Sequence, residues 1–147
     1  MINVIIVDDN GPVRKSLRNL IDTADDIKIV GTATNGVEAI EQARASRPDV
    51  AVMDISMPLM DGLEATEHIR ECCRLTRVIM LSSFNGPQYV KRALEVGAKG
   101  YVLKDAAGTD LLQGIRTIHS GKHYFSHQIA EIGEKYLSQG GDENAEV

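Results

Sequence analysis

Short apolar runs and amphipathic stretches alternate along most of the chain. Ile2 to Val7 is a β-branched run with one polar break, which is too short for a helix and typical of a buried strand. The stretch 12–22 instead carries its apolar residues at helical spacing. The same unit recurs four times, which predicts strands at 27–33, 49–53, 78–81 and 100–103 and helices at 36–45, 62–72, 87–96 and 107–119.

Five strands that alternate with five helices predict an α/β fold in which a parallel sheet is covered by helices on both faces. The strand order 2-1-3-4-5 is a common doubly wound arrangement for this number of units. In such folds the functional site lies at the carboxyl ends of the strands, beside the switch point between strands one and three. After the fifth helix, apolar spacing over 128–137 predicts one more amphipathic segment.

The length and composition indicate one main domain. The chain has 147 residues, of which 43% are hydrophobic and 25% charged, and this is ordinary for a folded soluble domain. We predict a main domain over 1–120, a C-terminal helix or linker over 121–138 and a flexible acidic tail over 139–147. The net charge of −5 disfavours nucleic-acid binding by these residues alone, because phosphate contacts need clustered Lys and Arg.

The cysteines and the N-terminal residues indicate in which cellular compartment the protein is expected. Cys72 and Cys73 are the only two cysteines, and sequence neighbours rarely form a structural disulfide, which indicates ordinary thiols in a reducing compartment. No basic segment leads into an apolar run at the N-terminus, and no apolar stretch approaches the ~20 residues of a membrane span. We therefore expect a cytoplasmic protein that does not interact with membranes.

Acidic, hydroxyl and basic side chains follow the predicted strands at the edge where the site should lie. Strand one ends in Asp8 and Asp9, strand three in Asp54, strand four in Ser82 and strand five in Lys104. Because strands one and three are neighbours, the three carboxylates should converge, and a hard divalent cation would relieve their repulsion. A carboxylate can act as a nucleophile and form an acyl phosphate, while a lysine binds phosphate oxygens. The pattern predicts a phosphoryl-transfer site.

Simpler explanations exist for single members of this set. Acids at strand ends often cap the following helix, which is a serious alternative for Asp8 but does not explain Lys104. Ser82 could serve a turn, and Tyr101 could be a plain strand aromatic. Three histidines spaced by four residues raise the question of a zinc site, although Gly121 interrupts the helix between the first two: His119, His123 and His127.

Together these residues resemble the receiver domains of two-component response regulators. The resemblance covers about residues 1–120, and it implies the flavodoxin-like receiver fold and a phosphorylation-activated signalling function. It rests on five segments: Val7-Asp8-Asp9-Asn10, Met53-Asp54-Ile55-Ser56-Met57-Pro58, Asp61-Gly62, Leu81-Ser82 and Gly100-Tyr101-Val102-Leu103-Lys104.

The resemblance also implies a metal site. By it, Asp54 is the phosphoacceptor, and Asp9 is a direct ligand of Mg²⁺ (or Mn²⁺) together with Asp54. Asp8 would act on the ion mainly through water, and Ser56 would contribute its backbone carbonyl.

A second set of roles concerns the switch. Lys104 would pair with the phosphoryl group, Ser82 would move to hydrogen-bond it, and the rotamer of Tyr101 would follow Ser82. Many receivers have a proline after the lysine in a cis peptide bond, whereas here Asp105 follows Lys104.

The branch of the family is indicated by Leu103-Lys104-Asp105 and by residues 120–126, which resemble the NarL/FixJ (LuxR-type) regulators. In that branch a C-terminal helix-turn-helix domain binds DNA. The sequence ends where that domain would begin, so we expect a receiver from a longer transcription factor. A stand-alone receiver that acts through protein–protein contacts is the alternative.

The expected partners are a histidine kinase, DNA only through the absent output domain, and a second copy, since the sequence is compatible with a homodimer.

Two other classes fit the pattern less well. A phosphatase with an aspartyl nucleophile usually carries Asp-x-Asp, but neither Asp8 nor Asp54 has an acid two residues further on. A flavin-binding module would need a hydroxyl- and glycine-rich first loop, whereas Asp8 and Asp9 would repel its phosphate. We therefore expect phosphorylation and dephosphorylation of Asp54 itself, not turnover of external substrates.

Overall fold

The computed structural model describes residues 1–141, which form one parallel sheet with helices on both faces. The end of the predicted acidic tail, residues 142–147, lies outside the described residues. The elements are β1 (Ile2–Val7), α1 (Gly11–Asp22), β2 (Ile27–Ala33), α2 (Gly36–Ser46), β3 (Val50–Met53), α3 (Gly62–Cys72), β4 (Arg77–Ser82), α4 (Pro87–Glu95), β5 (Gly100–Leu103), α5 (Ala107–His119), β6 (Tyr124–Phe125) and α6 (Ala130–Tyr136).

The strand order is β2-β1-β3-β4-β5-β6, which confirms the predicted doubly wound α/β fold and its order 2-1-3-4-5. The predicted strand count of five was wrong, because β6 adds a sixth strand. Tyr124 and Phe125 pair in parallel with Gly100 and Tyr101. A strand of two residues is too short to show an alternating pattern, so the sequence carries no sign of it.

Successive residues of the central strands serve two different apolar layers. In β1, Ile5 and Val7 belong to the layer that contains residues of α2, α3 and α4, whereas Val4 and Ile6 belong to the layer that contains α1 and α5. All four side chains are at most 1% exposed. Burial on both faces explains why the central strands read as continuous apolar runs.

Polar side chains in the preceding loops cap the starts of α1, α2 and α3. The Asn10 side chain accepts a hydrogen bond from the Val13 amide, and the Asp61 side chain accepts one from the Glu64 amide. Asp8 does not cap a helix: its Oδ1 accepts from the amide of Asn10, two residues on. The capping explanation of Asp8 is therefore wrong, and its carboxylate is available for another role.

Among these described helices, none combines the length and the apolar character needed to cross a membrane.

The chain after α5 packs against the edge of the sheet. Ser126 is fully buried, its hydroxyl accepts a hydrogen bond from the Leu103 amide at 2.9 Å, and its own amide donates to the Tyr101 carbonyl at 3.0 Å. Ile129 is 1% exposed, and α6 lies against α4. The C-terminal segment thus contacts the strand that precedes Lys104.

Candidate functional site

The three predicted acids meet at the carboxyl edge of the sheet. Asp8 and Asp9 follow β1, Asp54 follows β3, and the two strands pair with Val7 opposite Met53. The Asp54 amide donates to the Val7 carbonyl at 2.9 Å, which holds the two strand ends side by side. One oxygen from each carboxylate lies within 4.8 Å of the other two.

Burial and mutual repulsion shape the charge of this acid cluster. Asp8 is 1% exposed and Asp54 is 6% exposed, whereas Asp9 is exposed to solvent. Burial, and then the negative charge of Asp8, raise the pKa of Asp54 to about 6, although Lys104 and a backbone hydrogen bond from Ser56 act in the opposite direction. The cluster therefore carries unfavourable negative charge near neutral pH.

Lys104 is the cation of the site. It follows β5, and its Nζ lies 3.0 Å from Asp8 Oδ2 and 3.4 Å from Asp54 Oδ2. Burial alone would lower the pKa of Lys104, but the two carboxylates outweigh it and raise that pKa. The Lys104 ammonium thus pairs with two of the three carboxylates, those of Asp8 and Asp54.

The donor set fits a hard divalent cation. Asp8 Oδ2 is buried and has no hydrogen bond of good geometry; only the ion pair with Lys104 compensates it. Carboxylate oxygens are the ligands that Mg²⁺ and Mn²⁺ prefer. Within residues 1–141, Asp8, Asp9 and Asp54 are the only group of three or more His, Cys, Asp or Glu side chains placed to hold a metal. The three histidines form no such group, so the zinc hypothesis is without support.

The predicted switch residues form a second group around the loop after β4. Ser82 and Tyr101 are both fully buried. Ser82 Oγ accepts a hydrogen bond from the Phe84 amide at 3.0 Å, and the Tyr101 hydroxyl donates to the Phe84 carbonyl at 2.6 Å. Burial raises the pKa of Tyr101, while a hydrogen bond with Ser82 lowers it. The Phe84 ring stacks on Tyr89 of α4 with centroids 4.4 Å apart, so the loop ties both switch residues to that helix.

Three contacts of the site were absent from the prediction. Arg14 Nη1 donates a hydrogen bond to the Asp8 carbonyl at 2.7 Å. The Phe84 carbonyl accepts one from the Tyr101 hydroxyl, and the Ser126 hydroxyl accepts one from the Leu103 amide. In the sequence, Arg14 resembles any surface arginine of an amphipathic helix, and Phe84 lies in a loop without a pattern. Ser126 ends the segment 120–126, whose resemblance to the NarL/FixJ branch does not predict this contact. The described part of the chain contains no cis peptide bond, so the bond from Lys104 to Asp105 is trans.

A comparison with known families agrees with this arrangement. The family model described as the response regulator receiver domain matches residues 4–116. The chain therefore belongs to the receiver domains of response regulators, which are signalling modules of two-component systems.

Individual relatives point to the same branch. The chain is similar to the transcriptional regulatory protein LnrK of Bacillus subtilis, with 39% identity over 82% of this chain and 55% of LnrK. It is also similar to the response regulator UvrY of Escherichia coli K12, with 37% identity over 89% of this chain and 60% of UvrY. A crystal structure of a LuxR-family two-component response regulator from Aurantimonas sp. superposes with a TM-score of 0.87 and 32% identity, covering 94% of this chain and 99% of that one.

The likeness concerns the receiver part of these proteins. The chain spans 55 to 65% of the length of LnrK, UvrY and similar curated relatives. The match supports the resemblance to the NarL/FixJ (LuxR-type) branch that the sequence indicates.

Proposed function

We propose that Asp54 accepts a phosphoryl group from a histidine kinase and that this modification switches an interface of the receiver. The observation that carries the proposal is the position of the Asp54 carboxylate, which lies beside those of Asp8 and Asp9 and 3.4 Å from the Lys104 ammonium. A nucleophilic carboxylate, an acidic metal site and a phosphate-binding cation thus occupy one edge of the sheet.

In the transfer, an Asp54 carboxylate oxygen attacks the phosphorus of a phosphohistidine, the P–N bond breaks, and an acyl phosphate forms. Asp9, Asp54 and the Ser56 backbone carbonyl would hold Mg²⁺, with Asp8 acting through water. Bound there, the ion supplies positive charge for the phosphoryl oxygens. Lys104, which pairs with Asp8 and Asp54 before the reaction, supplies a second positive charge.

The phosphoryl group would then change the loop after β4. If the Ser82 hydroxyl turns to the phosphoryl oxygens, its hydrogen bond with the Phe84 amide breaks. The Phe84 carbonyl also accepts from the Tyr101 hydroxyl, and the Phe84 ring stacks on Tyr89 of α4. A movement of Phe84 would therefore favour one of two arrangements of the face formed by α4, β5 and α5.

We further propose that this receiver is part of a cytoplasmic transcription regulator. Relatives such as LnrK are described as transcriptional regulatory proteins, and they extend beyond the part that this chain matches. In such a protein DNA would be bound by the output domain, and the receiver would pass on its state through a changed domain or homodimer contact. The only chemistry expected of it is phosphorylation and dephosphorylation of Asp54, without turnover of external substrates.

The proposal is tested by intact-mass measurement of the wild-type chain after incubation with acetyl phosphate. With Mg²⁺ we expect a gain of about 80 Da, one phosphoryl group, and no gain when EDTA replaces the metal. The label should be lost with hydroxylamine, which cleaves acyl phosphates but not phosphoserine. Equal labelling with and without metal, or a label resistant to hydroxylamine, would contradict the proposed chemistry.

Lys104→Ala should separate metal binding from the switch. The variant keeps all three carboxylates, so Mg²⁺ should still raise its thermal stability. It lacks the ammonium that reads the phosphoryl group, so the phosphorylated form should not change hydrogen exchange in residues 82–90. Lys99→Ala, at the opposite end of β5, is the matched control and should respond like wild type. If phosphorylation changed hydrogen exchange in Lys104→Ala as much as in wild type, Lys104 would have no role in the switch.

A further inference from the structure

The two cysteines form a close pair at the end of α3, far from the acid cluster in the fold. Cys72 is the last residue of α3 and Cys73 follows it, and their sulfur atoms lie 2.9 Å apart. Both are free thiols. Neighbouring side chains on a regular helix point about 100° apart and do not face each other. The contact therefore needs a local cause.

That cause is the departure of Cys73 from helical geometry. Its φ and ψ are −139° and 67°, and its amide still donates to the Ile69 carbonyl at 2.8 Å, so the backbone turns only after the last helical hydrogen bond. The carbonyl of Cys73 accepts from the Thr76 amide at 3.0 Å, which fixes the turn. Arg47 Nη1 donates to the Cys72 carbonyl at 3.3 Å and braces the same turn from α2.

The two thiols differ in access. Cys72 is half-buried, whereas Cys73 is 3% exposed. Burial, and then the neighbouring Cys72, raise the pKa of the Cys73 thiol to about 11. A small oxidant would therefore meet Cys72 first, and Cys73 would be shielded from direct attack.

We propose that Cys72 and Cys73 form a reversible redox site that closes to a vicinal disulfide when a hydroperoxide oxidises it. The Cys72 sulfur attacks the peroxide oxygen and the O–O bond breaks, which gives a Cys72 sulfenic acid and, with hydrogen peroxide, one water. The Cys73 sulfur, 2.9 Å away, then attacks Cys72 Sγ; the S–O bond breaks, and the hydroxyl leaves with the Cys73 thiol proton as a second water. Two thiols are oxidised by two electrons, and the peroxide is reduced.

The geometry makes this disulfide a reducible one. Adjacent Cα atoms across a trans peptide are about 3.8 Å apart, whereas disulfides usually span about 4.4–6.8 Å. A bond between Cys72 and Cys73 is therefore strained, and strained disulfides have a higher reduction potential and are readily reopened by cellular thiols. The pair is suited to transient oxidation and not to a structural role.

The test uses the reduced full chain, about one equivalent of hydrogen peroxide, alkylation of the remaining thiols under denaturing conditions and intact mass. We expect a loss of about 2 Da without alkylation, and two alkyl groups after reduction with glutathione. Because the chain has only two cysteines, an intramolecular disulfide can only join this pair. A disulfide-linked dimer, or sulfinic and sulfonic acid on Cys72 beside an alkylated Cys73, would overturn the proposal.

Two variants assign the roles. Cys73→Ser should stop at the Cys72 sulfenic acid, which dimedone traps, whereas Cys72→Ser should react far more slowly because Cys73 is buried. Equal peroxide reactivity of the two variants would contradict the assigned order. The wild-type result stands independently if either variant folds poorly.

Discussion

Asp54→Ala should give a folded protein that acetyl phosphate no longer labels. The substitution removes the carboxylate that we propose as the nucleophile, and it leaves Asp8, Asp9 and Lys104 in position. Labelling should fall by at least about two orders of magnitude, since the loss of a covalent nucleophile removes the pathway itself. The comparison is the intact mass of variant and wild type after equal incubation with Mg²⁺.

The fold should tolerate this change because Asp54 sits under electrostatic strain. Burial and the charge of Asp8 raise its pKa to about 6, so the ionised side chain contributes unfavourably in the metal-free protein at neutral pH. The metal-free variant should therefore melt no lower than wild type. Asp105→Ala, which removes an exposed acid beside Lys104, is the control and should be labelled normally. A full-strength label on Asp54→Ala that maps to another residue would show that the phosphoacceptor is assigned wrongly.

Gly62→Ala should destabilise the protein by about 3 kcal/mol and lower its Tm by roughly 10 °C. Gly62 is the first residue of α3, and its amide donates to the Ile55 carbonyl at 2.8 Å. A Cβ there would collide with the Asp54 carbonyl oxygen and lie 2.9 Å from Met53 Cγ. The obstacle is largely backbone, so the helix start and the end of β3 would have to separate.

Gly108→Ala is the matched control for that substitution. Gly108 also lies in the first turn of a helix, and a Cβ there would meet no atom within 4 Å. Alanine should be neutral or stabilise by up to about 0.5 kcal/mol, because it restricts the unfolded chain and favours the helix. The measurement is the melting temperature of both variants. Labelling of Gly62→Ala by acetyl phosphate should also fall, because Asp54 would be displaced. Equal melting temperatures of the two variants would contradict the prediction, since they would show that α3 can shift without a loss of stability.

The parts of the structure that the sequence predicts are those with a repeating signal. The buried strands appear as β-branched runs, and the predicted strand and helix ends from residue 1 to 119 agree with the structure to within one residue. Because parallel strands end at one edge, the residues after the runs could be placed together, and Asp8, Asp9, Asp54 and Lys104 do meet. Here a local pattern and a topological rule together define the site.

The remaining features depend on tertiary contacts that leave no periodic mark. Phe84 is a single aromatic in a polar loop, yet it joins Tyr101 to α4. Ser126 looks like an ordinary turn serine, yet its buried hydroxyl accepts from Leu103. The sulfur atoms of Cys72 and Cys73 lie close together because Cys73, at the end of α3, is not helical. Two adjacent cysteines in a sequence do not predict this backbone conformation.

The sixth strand also matters for the construction of chimeric regulators. A fusion joined directly after residue 120 would remove β6, and the main-chain groups of Gly100 and Tyr101 that pair with it would become an open sheet edge. It would also uncover the apolar surface that Ile129 occupies beside α4. Unprotected edges recruit strands from other molecules, so such a hybrid would tend to aggregate. Grafts that keep the native chain through Tyr136 retain this protection and the link between Leu103 and Ser126.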